Sequence, residues 1–157
     1  MVRITAADGE TAELTLRAAM LSGLFAAMIH EVGDAEEIPM PWSGSQLAQV
    51  TAVITALADA VKPSLADLLP AQMYLQQPAR HSHIKYAHRL LQLLDFADVR
   101  VGVDLLHNFI LRALTSARTP EKVLALWLSP DILANLSPAE QFHAYEQCLA
   151  HVSFIPS

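Results

Sequence analysis

The densest group of side chains able to do chemistry is His81-Ser82-His83, with His88 close behind and His107, His143 and His151 further along the chain. Histidines at i and i+2 suit two ligands of a metal ion when they stand on an extended segment. No acidic or cysteine ligand lies near them in sequence, so the reading is a solvated loop, with no metal and no cofactor. Cys148, the single cysteine, has no glycine-rich or nucleophile-elbow context, and no Ser/His/Asp set stands in a recognised order. The paired carboxylates Glu36-Glu37 fall in a polar turn before the third strand, where a hydrated surface pair is expected. These groups supply no catalytic residue, and the chain is expected to be non-enzymatic.

A chain of 157 residues, with 53% hydrophobic residues and few glycines, can bury one substantial core and favours a mainly helical protein. Net charge of −6 and the lack of a Lys/Arg stripe exclude a field that would gather nucleic acid or anionic lipid. A lone cysteine excludes an internal disulfide and suits a reducing compartment, so a cytoplasmic and nuclear location is expected. The opening Met1-Val2-Arg3-Ile4-Thr5 lacks the apolar core of a secretory signal, and no run reaches the roughly 20 apolar residues of a membrane span. A soluble protein without membrane contact follows.

These residues must be positioned by elements whose periods are legible. Alternation over 2–6, the turn pair Asp8-Gly9 and renewed alternation through Ala12, Leu14 and Leu16 predict a β-hairpin. Leu21, Leu24, Phe25, Met28, Ile29 and Val32 recur at helical spacing and predict one helix over 18–32, stopped by Gly33. Residues 36–41, with Pro39 and Pro41, fit a short edge strand. Ser43 and Ser45 offer caps for a helix burying Leu47, Val50, Ile54 and Leu57, which ends near Lys62-Pro63. Residues 62–82 read as a loop with one short helical or docked piece at Met73-Tyr74-Leu75. A helical hairpin follows over 84–114, with Asp98 as the cap of its second helix.

After Thr115 the pattern changes. Thr119-Pro120-Glu121, Ser129-Pro130-Asp131 and Ser137-Pro138-Ala139-Glu140 each place a hydroxyl before proline and an early acid, which predicts three short helices, the last opened by a capping box.

Strands, then helices, with a third strand interrupting, is the order of a BTB/POZ domain. The segment 8–28, through Asp8-Gly9-Glu10, Leu16, Ser22, Phe25 and Met28, resembles that family's strand, turn and first helix pair, and Ile38-Pro39-Met40-Pro41 resembles its third strand. Residues 90–100 are similar to the helix-turn-helix that S-phase-kinase-associated (Skp) proteins share with elongin C. Thr119-Pro120-Glu121-Lys122-Val123 and the helix over 137–148 resemble the C-terminal extension that Skp proteins have and elongin C lacks.

The resemblance implies an α+β fold: a BTB/POZ domain over 1–115, with a small three-stranded sheet packed on helices, and a helical partner-binding extension over 116–157. It further implies a non-catalytic adaptor that bridges a cullin to an F-box receptor in an SCF-type ubiquitin ligase. A Skp-like or BTB scaffold outside ubiquitin chemistry, self-associated as a homodimer when no partner is bound, is the alternative. By position, Asp95 and Phe96 would face the cullin, while Trp127, Ile132, Leu136, Phe142 and Tyr145 would face the F-box. Each also has a plain structural reading: Phe96 could plug the helical hairpin, and the extension's apolar residues could complete the domain's own core. The sequence departs from the family where Asp-Phe replaces an Asn-Tyr pair, where a proline-rich stretch over 63–78 replaces an acidic loop, and where no tryptophan stands beside Cys148.

Overall fold

The structure is a computed structural model that describes residues 1–33, 37–75 and 79–153, with side chains followed to Ala150. Glu36 of the paired carboxylates, Pro78 at the end of the proline-rich stretch and the His151 side chain lie outside that description. The class is α+β, mostly helical, with a small three-stranded mixed sheet. Among the described residues, no helix is long and apolar enough to cross a membrane.

Alternation makes the first strands. β1 (Val2–Thr5) buries Val2 and Ile4 and leaves Arg3 outside, where it pairs at 3.3 Å with Glu13 of β2 (Thr11–Leu14). The two are antiparallel, with Val2 opposite Leu14. β3 (Ile38–Pro39) lies parallel to β1 with Ile38 opposite Ile4, so the order is β2-β1-β3 and the proline stands on an edge, as its missing N–H requires.

The hairpin loop spans Ala7-Asp8-Gly9, because the Ala6 N–H donates to the Glu10 carbonyl at 2.7 Å. Gly9 closes it at φ +89°, a conformation that side chains resist. Asp8 reaches beyond its own turn. Its carboxylate accepts from the Gly44 N–H at 2.7 Å and from the Glu10 N–H at 3.1 Å. A Cβ on Gly44 would lie 2.4 Å from Glu10 Cγ, so only glycine lets the hairpin sit this close.

The amide bonds from Gly44 first and Glu10 second hold the Asp8 carboxyl below its ordinary pKa. A group depressed in the folded state stabilises above its unfolded pKa of about 3.9, and that contribution is lost as pH falls through the lower folded value. Urea midpoints measured between about pH 5 and pH 2 should therefore fall less steeply in Asp8→Asn than in the parent protein. Equal slopes would show that Asp8 is not a native-state acceptor.

The helix expected over 18–32 is two helices, α1 (Leu16–Ala19) and α2 (Gly23–Val32). Ser22 causes the break. Its hydroxyl accepts from the Phe25 N–H at 3.0 Å as the cap of α2 and donates to the Ala97 carbonyl. The expected strand alternation likewise stops at Leu14, since Thr15 caps α1 and leaves Leu16 exposed. Phe25 alone of the expected α2 stripe is fully buried, while Leu21 and Val32 are exposed. α3 (Gly44–Asp59) opens on a Ser43/Gln46 capping box and buries Leu47, Val50, Ile54 and Leu57, as its period predicts.

Two compact units emerge, one of residues 1–68 with 90–103 and the other of 69–89 with 104–157. In the first, Trp42 stands edge-on to Phe25 with centroids 6.2 Å apart and edge-on to Phe96 at 6.0 Å. The proline-rich stretch holds a 3₁₀ turn (Leu65–Asp67) and α4 (Ala71–Leu75). α5 (His81–Phe96) starts three residues earlier than its apolar stripe suggests, and α6 (Arg100–Ser116) follows. Asp98 lies in the left-handed region at φ 54°, one residue before the cap position, and its carboxylate engages Arg100 at 2.8 Å rather than standing at that position.

In the second unit, α7 (Pro120–Trp127), α8 (Pro130–Ala134) and α9 (Pro138–Ser153) begin where the hydroxyl-proline pairs predict. Thr119, Ser129 and Ser137 each accept from the N–H three residues on, and Glu140 completes the capping box by accepting from the Ser137 N–H at 3.1 Å. α9, at 16 residues, is longer than expected.

Candidate interaction surfaces

The α5–α6 turn of the first unit carries two of the sequence-predicted residues, and they do different things. Phe96 is 54% exposed, resting one ring edge against buried Trp42. This removes the reading in which Phe96 is wholly an internal plug: one side is supported and the other faces outward. Asp95 accepts from Arg100 at 2.6 Å, and Arg100 also holds Asp98, so a cation sits between two carboxylates at the same turn. All three charged groups are exposed, where such pairs orient side chains more than they stabilise the fold. A half-exposed aromatic backed by a rigid neighbour suits an anchor for a partner, because little conformational freedom remains to be lost on binding.

The five residues of the extension spread over three concave surfaces of the second unit rather than one. Ile132 and Leu136 share a groove of about 480 Å³ between α8 and α9, completed by Leu128, Ala139 and Ala144, with Glu140, His143 and Gln147 as its polar groups. Phe142 and Tyr145 face a separate groove with Pro120, Leu124 and Pro138, where α7 meets α9. Trp127 lines a third hollow with Ile132 and stands edge-on to His88, centroids 5.5 Å apart.

Exposure follows the same division. Ile132 is 53% and Phe142 63% exposed, whereas Trp127, Leu136 and Tyr145 are half-buried. Val123, Leu124 and Cys148 turn inward and are buried. Short capped helices produce this outcome because α8, barely more than one turn long, has too little surface to cover its neighbours.

The histidine group is not a loop. His81 and His83 fall on the first turn of α5, where i and i+2 point to different sides. His81 Nδ1 bonds the Leu126 carbonyl at 2.8 Å, while buried His83 turns back so that Nδ1 accepts from the Arg80 N–H at 3.4 Å. No group of three His, Cys, Asp or Glu able to hold a metal ion occurs among the described residues. Burial pushes the Cys148 thiol up, which keeps it protonated and poorly nucleophilic. Glu37 is a surface group as expected, accepting from Thr5 Oγ1 at 2.9 Å and pairing with Arg3 at 3.4 Å.

Trp42 was not singled out by sequence reasoning, and Leu128, recognised as one of the apolar residues of the tail, was not placed in its receptor-facing set. Trp42 follows the proline-punctuated strand as one of only two tryptophans, a composition signal that periodicity does not register. Leu128 lines two of the hollows, but it stands just past the last residue of α7, where no helical stripe continues. Compared with protein-family models and with curated proteins, the chain matches none.

Proposed function

We propose that this chain is a non-catalytic adaptor of the BTB/POZ, Skp-like type, which bridges a cullin to an F-box receptor in the cytoplasm or nucleus. One observation carries the reading: although Val123, Leu124 and Cys148 are buried, Ile132, Leu136, Phe142 and Tyr145 line open grooves, with Ile132 and Phe142 more than half exposed. Exposed apolar side chains gathered into concave surfaces mark an interaction site. The order of strands and helices, the Ser22 cap and the outward Phe96 at the α5–α6 turn support the same reading. Phe96 and Asp95 would then meet the cullin, and the grooves of α7 to α9 would meet the receptor.

Co-purification of the full chain with a cullin N-terminal domain and with an F-box segment tests both ends. Binding of both at micromolar concentration is the expected outcome, and binding of neither would overturn the proposal. The scaffold alternative is favoured by one observation, the exposed apolar side chains of Leu16, Met20 and Val32 in the first unit. Light scattering separates the two, since a dimer that persists on dilution belongs to a self-associating scaffold.

A further inference from the structure

Two hollows of the second unit adjoin at His81. One, of about 230 Å³, has Ile84, Trp127 and Ile132 as its apolar lining and Lys85 and His88 as its polar groups. The other, of about 530 Å³, has alanines of α6 and α7 as its floor and Arg80 and Lys122 as its cations. The His81 ring is common to both and is fixed by its bond to the Leu126 carbonyl. A carbonyl only accepts, so Nδ1 carries the proton and the ring is held as a ridge.

The charges around this ridge run against the rest of the molecule. The chain has 16 acidic and 10 basic residues, yet among the described residues no carboxylate lines either hollow. Glu121 and Glu140 instead line the two grooves that flank α9. Lys85 and Lys122 are exposed, and neither forms an ion pair among the described residues.

We infer that the two hollows form one docking site for a short acidic peptide segment, which places an apolar side chain on each side of the His81 ridge and its carboxylates on Lys85 and Lys122. The alternation of requirements selects a peptide. Each compartment offers an apolar floor and a cationic group, so the occupant must carry apolar and anionic groups in turn along one chain. Nucleic acid fits poorly, because a handful of cations in a chain of net charge −6 cannot replace the counterion release on which its binding depends. Burial of the two anchors supplies affinity, while the cations choose the partner and speed its approach. The inference does not require the adaptor reading, although Trp127 and Ile132 serve in both.

The test is a selection of random peptides of about twelve residues, displayed on phage, against the full chain. Selected peptides should be enriched in Asp and Glu and carry at least two large apolar residues. The best of them, synthesised and titrated, should bind about tenfold or more weakly to Lys85→Glu and to Lys122→Glu, as expected where a favourable charge contact becomes a repulsive one. Lys85→Arg and Lys122→Arg should stay close to the parent, and affinity should fall as salt is raised from about 0.05 M to 0.5 M. Selected peptides without acidic excess, acidic peptides indifferent to both charge reversals, or no selected binder at all would each overturn the site. Both lysines are exposed and outside the candidate receptor residues, so F-box binding that survives Lys122→Glu keeps the two proposals distinguishable.

Discussion

Phe25→Ala is expected to lower the free energy of unfolding by about 3–5 kcal/mol, the usual cost of emptying a fully buried aromatic site. Phe25 is completely enclosed in the first unit and stands edge-on to Trp42. Its removal therefore forfeits both transfer energy and the support that Trp42 passes to Phe96. A small domain has roughly 5–15 kcal/mol in total, so this single change brings the protein close to its unfolding threshold. Urea denaturation should show a lower midpoint with an unchanged slope. Phe25→Leu, which restores most of the volume, should recover more than half of the loss. A cost below about 1 kcal/mol for the alanine variant would mean that Phe25 is not the centre of this core.

The second large effect concerns binding rather than stability. Ile132→Asp and Phe142→Asp together should reduce affinity for an F-box segment by about 100-fold or more, since interface anchors cost about 2–4 kcal/mol each when lost and a buried carboxylate adds desolvation. Folding stability should change little, within about 1 kcal/mol, because both side chains are already more than half exposed. The two single variants report on different surfaces. Ile132 belongs to the α8–α9 groove and Phe142 to the groove where α7 meets α9, so the variant with the greater loss shows which one receives the receptor. Cullin affinity should be unchanged in all three. Isothermal titration against each partner measures both ends, and unaltered receptor affinity in the double variant would contradict the proposed role of the extension.

Local grammar was legible wherever the physics is local. A hydroxyl followed by proline fixes a helix start within four residues, and Thr119, Ser129 and Ser137 cap as read. The α3 stripe of Leu47, Val50, Ile54 and Leu57 is buried because that helix packs against β2 and α1, a covered face for which a 3.6-residue period is diagnostic. The same rule misleads in α2. Its stripe is equally periodic, yet only Phe25 is enclosed, since hydrophobicity records what a side chain tolerates and not whether anything covers it.

Residue types and their spacing determined the α+β class, the starts of α3, α7, α8 and α9, and the edge strand at Ile38-Pro39. Tertiary structure decided the rest: that Ser22 splits one expected helix by bonding Ala97, 75 residues away, that Asp8 serves a helix rather than only its own turn, and that Phe96 leans on Trp42 with its other face outward. It also decided that Ile132, Leu136, Phe142 and Tyr145 divide among separate grooves, and that lysines distant in sequence, Lys85 and Lys122, border hollows that no carboxylate among the described residues lines. The physical reason is range. Caps, turns and periods are settled by neighbours a few bonds apart, whereas burial and charge complementarity depend on which surfaces the chain brings together after it has folded.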